Sequence, residues 1–167
     1  NTTEDVLALF PTVVVTGRAA DGSILFSSDE VLNDLYPGET RYWGSIAGDG
    51  SSVPDTVEFS VSRPGDWEVQ AAVGEPSRLT ISNVSRRRGQ FSDLVVTGEV
   101  TLESLSSESM ASQVQVVAIG RDSQGDMVFG FMGYTSLPTE GETVPFEVSS
   151  SDGLPEFETI EVYAYGW

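Results

Sequence analysis

Cysteine, histidine and lysine are all absent from the 167 residues. Without cysteine there are no disulfides, thiolate metal sites or thiol nucleophiles. Without histidine or lysine the usual general bases and Schiff-base amines are missing too, so a serine hydrolase would have to work with neither. No apolar run approaches the roughly 18 residues that cross a bilayer as a helix, and membrane insertion of this segment is not expected. Asn1 opens the sequence without a basic, hydrophobic leader. The reading is of a mature or excised portion whose signal or anchor lies elsewhere. Phosphate-loop and nucleophile-elbow motifs are also missing. The catalytic chemistry left is that of paired carboxylates, as in glycoside hydrolysis, and no acid sits on a distinctive motif. The expectation is a protein that is not an enzyme, with no catalytic residue, no cofactor and no metal.

What is abundant is negative charge. Twenty-six Asp and Glu face 8 Arg, for a net charge of −18. Such a surface repels phosphate backbones and anionic lipids, which argues against nucleic-acid and membrane-surface partners. Dense carboxylates fit life in high salt, where ions screen their mutual repulsion. A genome that encodes arginine in place of lysine is the alternative.

The chain repeats itself at an offset of 103. Val13-Val14 falls on Val116-Val117, Gly17-Arg18 on Gly120-Arg121, Gly22 on Gly125 and Phe26 on Phe129. Gly38-Glu39-Thr40 falls on Gly141-Glu142-Thr143, and Thr56 and Glu58 on Thr159 and Glu161, without a gap. Trp43 matches Phe146, and Val57 matches Ile160. An ungapped register of this length indicates duplication. Gly22 and Gly125 each divide two apolar runs, where a hairpin turn needs positive φ.

Between the turns, apolar and polar residues alternate as in half-buried strands. Leu94, Val96, Val100 and Leu102 share one face; Val144, Phe146 and Val148 another; Ile160, Val162 and Ala164 a third. In the first copy Val57, Phe59 and Val61 oppose Thr56, Glu58 and Ser60. Ser28-Leu35 and Leu105-Ser112 are the only helical candidates, and both are short. Turn signals every 8–12 residues mark a sandwich. The predicted fold is all-β, with two immunoglobulin-like β-sandwich repeats in tandem over residues 1–74 and 75–167.

The second copy shows strands near 78–84, 92–103, 113–121, 126–135, 143–149 and 157–166. Partners of its first two would fall before residue 1, so the first copy is incomplete. It has instead a run of its own, Trp67-Val73, which alternates and is expected to fold back and fill one gap. Upstream sequence or a neighbouring subunit adding a strand are the alternatives.

Residues 92–148 resemble the FxLYD domain of bacterial and archaeal envelope proteins. The resemblance rests on Val95-Val96-Thr97-Gly98-Glu99-Val100, on Asp122-Ser123-Gln124-Gly125, and on Leu137 with Gly141-Glu142-Thr143-Val144-Pro145-Phe146. Residues 13–46 repeat its later half, through Asp21-Gly22 and Leu35-Tyr36-Pro37-Gly38-Glu39. It implies an immunoglobulin-like sandwich tethered outside the membrane, without known catalysis. The namesake aromatics are replaced by Gly120-Arg121, and Ala19 stands where the first copy should have Asp.

Four constellations have a functional and a structural reading. Asp122-Ser123-Gln124-Gly125-Asp126 gathers oxygens around a glycine turn but lacks the later bidentate Glu of a calcium loop, which favours a plain hairpin. Arg86-Arg87-Arg88 reads as a solvated loop that balances nearby acids in preference to a phosphate contact. Tyr163, Tyr165 and Trp167 share a strand face that either binds a glycan or a partner chain or is covered by other sequence. Asn1-Thr2-Thr3 and Asn83-Val84-Ser85 are acceptor tripeptides for N-linked glycan.

The resulting expectation is a non-catalytic, cell-surface or secreted structural or binding module. Its partners are other protein chains or surface glycans, a homo-oligomer included. The alternatives are a subunit of a surface filament joined by β-strand complementation and, further off, a carboxylate glycoside hydrolase. If the acidity is a salt adaptation, the midpoint of thermal unfolding rises steeply between low and molar NaCl as carboxylate repulsion is screened. A midpoint that ignores salt returns the acidity to codon usage.

Overall fold

A computed structural model describes residues 1–89, 93–150 and 153–167. Ser92, the first residue of the family resemblance, lies outside them. Among the described residues there is no α-helix, only antiparallel strands and one 3-10 turn at Asp66–Glu68. Among the described residues no helix is long and apolar enough to cross a membrane. The chain divides into two compact units, one of Asn1–Arg41 with Ile46–Val73, the other of Gly74–Trp167 with Tyr42–Ser45.

The larger unit holds strands β6 (Arg78–Arg88), β7 (Leu94–Ser104), β8 (Gln113–Arg121), β9 (Met127–Ser136), β10 (Thr143–Ser149) and β11 (Thr159–Gly166). They form two three-stranded sheets, β10-β7-β6 and β11-β8-β9. The alternation read from the sequence places Leu94, Val96 and Val100 of β7 and Phe146 and Val148 of β10 on the inner face of one sheet. Val114, Val116 and Ala118 of β8, with Phe131 of β9, meet them from the other. β6 contributes Leu79 and Ile81, and β11 contributes Ile160, Val162 and Ala164. β7 is central, since it pairs with β10 on one side and β6 on the other.

The smaller unit holds β1 (Val6–Ala8), β2 (Thr12–Arg18), β3 (Ile24–Val31), β4 (Thr56–Val61) and β5 (Val69–Ala71). Its three-stranded sheet runs β3-β2-β4, and β1 pairs with β5 in a separate two-stranded ribbon. Leu7, Val15 and Tyr36 are its buried apolar side chains.

The β3-β2-β4 sheet matches β9-β8-β11 residue for residue at the offset of 103. Gly17 lies opposite Phe26 and Val57, as Gly120 lies opposite Phe129 and Ile160. Both hairpins shift register at the same place, between Gly17 and Arg18 and between Gly120 and Arg121. Each of these glycines is covered by the ring opposite, Phe26 or Phe129, leaving no room for a Cβ. Arg18 Nε reaches Glu58 Oε2 at 2.9 Å, and Arg121 Nε reaches Glu161 Oε2 at 2.8 Å. The same arginines donate from Nη1 to the turn carbonyls of Gly22 and Gly125. Gly22 and Gly125 have φ of 83° and 87°, a region that side-chain-bearing residues avoid.

The second layer is what the copies do not share. In the larger unit residues 143–149 form β10 by pairing with β7. Their counterparts, residues 40–46, are not a strand. Among the described residues no strand pairs with them.

Three expectations need correction. Trp67-Val73 does not supply a buried strand: only Val69–Ala71 pairs, with β1, and Trp67 and Val69 are 63% and 40% exposed. Arg86-Arg87-Arg88 is not a loop but the end of β6, opposite Val96, Val95 and Leu94. Of the two short helical candidates, Ser28–Val31 is strand and Leu105–Ser112 is irregular. Gly120→Ala, which drives a methyl into the Phe129 ring, is expected to lower stability by about 1–3 kcal/mol in urea unfolding. Val69→Asp, at an exposed position, is expected to leave the same curve unchanged.

Candidate functional site

The outer face of β11-β8-β9 carries the aromatic row. Tyr163 and Tyr165 stand on β11 opposite Val117 and Gln115 of β8, and both β8 residues are buried. The cover comes from Tyr42–Ser45. The Tyr42 ring stacks on Tyr163 with centroids 4.3 Å apart, and its backbone N–H donates to the Tyr165 hydroxyl at 3.0 Å. Gly44 lies so close to the backbone of Gly130 that a Cβ would collide with it. Trp167 packs instead on Tyr134, with centroids 5.7 Å apart. Of the two readings open for this row, Tyr163 and Tyr165 follow the covered one.

At the rim of that cover the ion pair gains members. Tyr163 donates its hydroxyl proton to Glu161 Oε2 at 2.7 Å, on the oxygen that Arg121 also holds. The Arg121 guanidinium lies 5.8 Å from the centre of the Tyr42 ring, a cation–π contact. The Tyr163 hydroxyl and the Arg121 guanidinium together hold the Glu161 carboxyl below its ordinary value. Partial burial, then the bond to Glu161, push the Tyr163 phenol up to about 12. The first copy has Ser60 at the place of Tyr163 and only the Arg18–Glu58 pair.

The remaining candidates resolve into local structure. Asp122 Oδ1 accepts the backbone N–H groups of Gln124 and Asp126, at 2.8 and 3.0 Å, so its oxygen is engaged in the turn. Among the described residues no three His, Cys, Asp or Glu gather as a metal site. Asp21, Asp49 and Glu161 are each held below the ordinary carboxylate range, the first two chiefly by the hydroxyls of Ser23 and Ser51. A glycosidase proton donor needs the opposite direction. Arg87 pairs with Glu147 at 3.1 Å, while Arg86 donates to the Glu158 carbonyl and lies over the Phe157 ring.

The two glycan acceptors differ. Asn1 turns its side-chain amide to the carbonyls of Val6 and Leu35, and its ammonium donates to the Glu39 carbonyl. Asn83 is exposed on a bulge of β6, at φ 52°, with its amide donated to Glu99 Oε2. Asparagine tolerates that backbone better than most residues.

The inner face of β3-β2-β4 was not singled out from the sequence as a site. Its members Val13, Val15, Gly17, Phe26, Val57, Phe59 and Val61 correspond to core positions of the larger unit. Val57, Phe59 and Val61 are 46, 67 and 70% exposed. The signal was present: these residues align with Ile160, Val162 and Ala164, which pack on the core of the larger unit.

Spectrophotometric titration checks the aromatic cluster. One of the five tyrosines is expected to ionise near pH 12, two units above an ordinary phenol near 10. Because the folded-state value is the higher, the phenol's stabilising contribution is complete below pH 10 and disappears as the pH rises toward 12. Tyr163→Phe is expected to remove the late step.

No family model, no curated protein and no solved structure matches this chain.

Proposed function

We propose that this chain is a non-catalytic structural or binding module of tandem immunoglobulin-like repeats that works at the cell surface or as a secreted protein. The observation that supports the repeat most directly is the sheet built twice, with one register, one bulge and one arginine–glutamate pair at an offset of 103. In the larger unit the two three-stranded sheets β10-β7-β6 and β11-β8-β9 close on one apolar core, which supports a β-sandwich. The resemblance of residues 92–148 to FxLYD domains points the same way and supplies the envelope location. A surface of net charge −18 suits a protein that meets ions and other chains outside the cytoplasm.

A second reading is a subunit of an assembly, with chains joined by strand complementation. One observation favours it: the apolar row Val57, Phe59 and Val61 has a cover in one copy of the sheet and none in the other.

Location is tested with an antibody raised against the purified chain and applied to intact and permeabilised cells of the source. Staining of intact cells is expected. Signal only after permeabilisation overturns the surface reading, and absence from the culture medium then overturns the secreted one.

A further inference from the structure

We propose that Asn83 carries an N-linked glycan, added by a separate glycosyltransferase, and that Asn1 does not. The inference rests on the surface or secreted reading above and assigns the place of its modification.

Both residues open an acceptor tripeptide, Asn1-Thr2-Thr3 and Asn83-Val84-Ser85. What separates them is the amide nitrogen, the atom that takes the sugar. Asn1 donates both of its Nδ2–H groups to backbone carbonyls, to Val6 at 2.7 Å and to Leu35 at 2.9 Å. Its Oδ1 accepts from the Thr3 N–H and the Thr3 hydroxyl, at 3.1 and 2.7 Å. A sugar on that nitrogen would displace one of the two carbonyl bonds and leave a carbonyl unpaired at a half-buried site. Asn83 is exposed and gives one N–H, to Glu99 Oε2 at 2.6 Å. Its second N–H has no partner among the described residues. A sugar can replace that hydrogen while the bond to Glu99 stays.

The backbone presents the same atom. β6 pairs with β7 alone, so it is an edge strand of its sheet. Its register passes from Ser82 opposite Glu99 to Ser85 opposite Thr97, and Asn83 and Val84 fall in the bulge between. Asn83 adopts φ 52° there, outside the extended region that a regular ladder imposes. A bulge on an edge strand lets an enzyme reach the acceptor without breaking the pairing on either side of it. Ser85, which supplies the hydroxyl of the tripeptide, is also exposed, with its Oγ 3.0 Å from Thr97 Oγ1.

There is room for the first sugar beside the nitrogen. An open groove starts at Asn83 and is lined by Thr97, Glu99, Pro145 and Glu147. Its hydroxyl and carboxylates suit the hydroxyl groups of a sugar ring. In the transfer, the anomeric carbon of a sugar-phosphate donor breaks its bond to the phosphate oxygen and bonds to Asn83 Nδ2. The displaced amide proton leaves with the phosphate, and nothing is oxidised or reduced.

The test is mass spectrometry of the chain purified from its source. Trypsin cuts after Arg78 and Arg86, which isolates Asn83 in the peptide of residues 79–86. That peptide is expected to be heavier by whole sugar residues, with fragmentation placing the added mass on Asn83. The peptide that holds Asn1 and ends at Arg18 is expected at its unmodified mass. Expressed in the same cells, Asn83→Asp and Ser85→Ala are each expected to lower the modified fraction at least tenfold, whereas Ser85→Thr retains it. The circular dichroism of all three is expected to stay unchanged, because both positions are exposed. Added mass on Asn1, or on a hydroxyl of residues 79–86 in place of Asn83, overturns the proposal. So does a modified fraction that Ser85→Ala leaves intact. An unmodified 79–86 peptide from chain that stains on intact cells overturns this proposal and leaves the surface reading standing. The same peptide from chain that stains only after permeabilisation overturns both.

Discussion

A sheet with one apolar face is stable in water only when a second layer covers that face. This constraint organises both halves of the molecule, and they meet it unequally. In the larger unit the second layer depends on β7, whose two edges hold β10 and β6. In the first copy residues 40–46, which stand 103 positions before β10, join no ladder among the described residues, and the β4 row stays exposed. Part of that segment, Tyr42–Ser45, finds a different partner on the outer face of β11-β8-β9.

The twin ion pairs show how little energy a persistent feature needs. Glu58 is more than half exposed and Glu161 more than a third, so each pair adds no more than about 1 kcal/mol. Their repeated geometry comes from the backbone. The bulge after Gly17 and Gly120 sets the arginine so that it spans from the neighbouring strand's glutamate to the turn carbonyl. Both glycines are bound to their places by the phenylalanine ring that lies on them. With no lysine in the chain, these few arginines are position-specific contacts more than general neutralisers of charge.

Much of the fold was legible because period-two alternation reports one buried face per strand, and every strand of the larger unit carries it or a continuous apolar run. The offset of 103 was legible because turns need glycine at positive φ and the bulge needs glycine under a ring. Alternation does not say which layer a strand joins. Trp67-Val73 alternates as cleanly as β11, yet it pairs for only three residues and leaves its side chains in water. Arg86-Arg87-Arg88 hid the end of β6 because arginine breaks the apolar pattern, although the backbone of an edge strand tolerates it well. The cover of Tyr163 by Tyr42 joins residues far apart in sequence, and no local pattern announces such a contact. The exposed row on β4 was visible as an alternating strand. Its lack of a cover followed only from comparing the two copies.

The charge and the bare apolar row belong to one account. Val57, Phe59 and Val61 are already partly buried, so covering what remains exposed would contribute about 1–2 kcal/mol each, a drive toward any apolar surface. In a protein of small net charge such a row invites indiscriminate association. Here every encounter between two copies brings together chains of net charge −18, which opposes contact before the apolar surfaces meet. That protection weakens as salt screens the carboxylates.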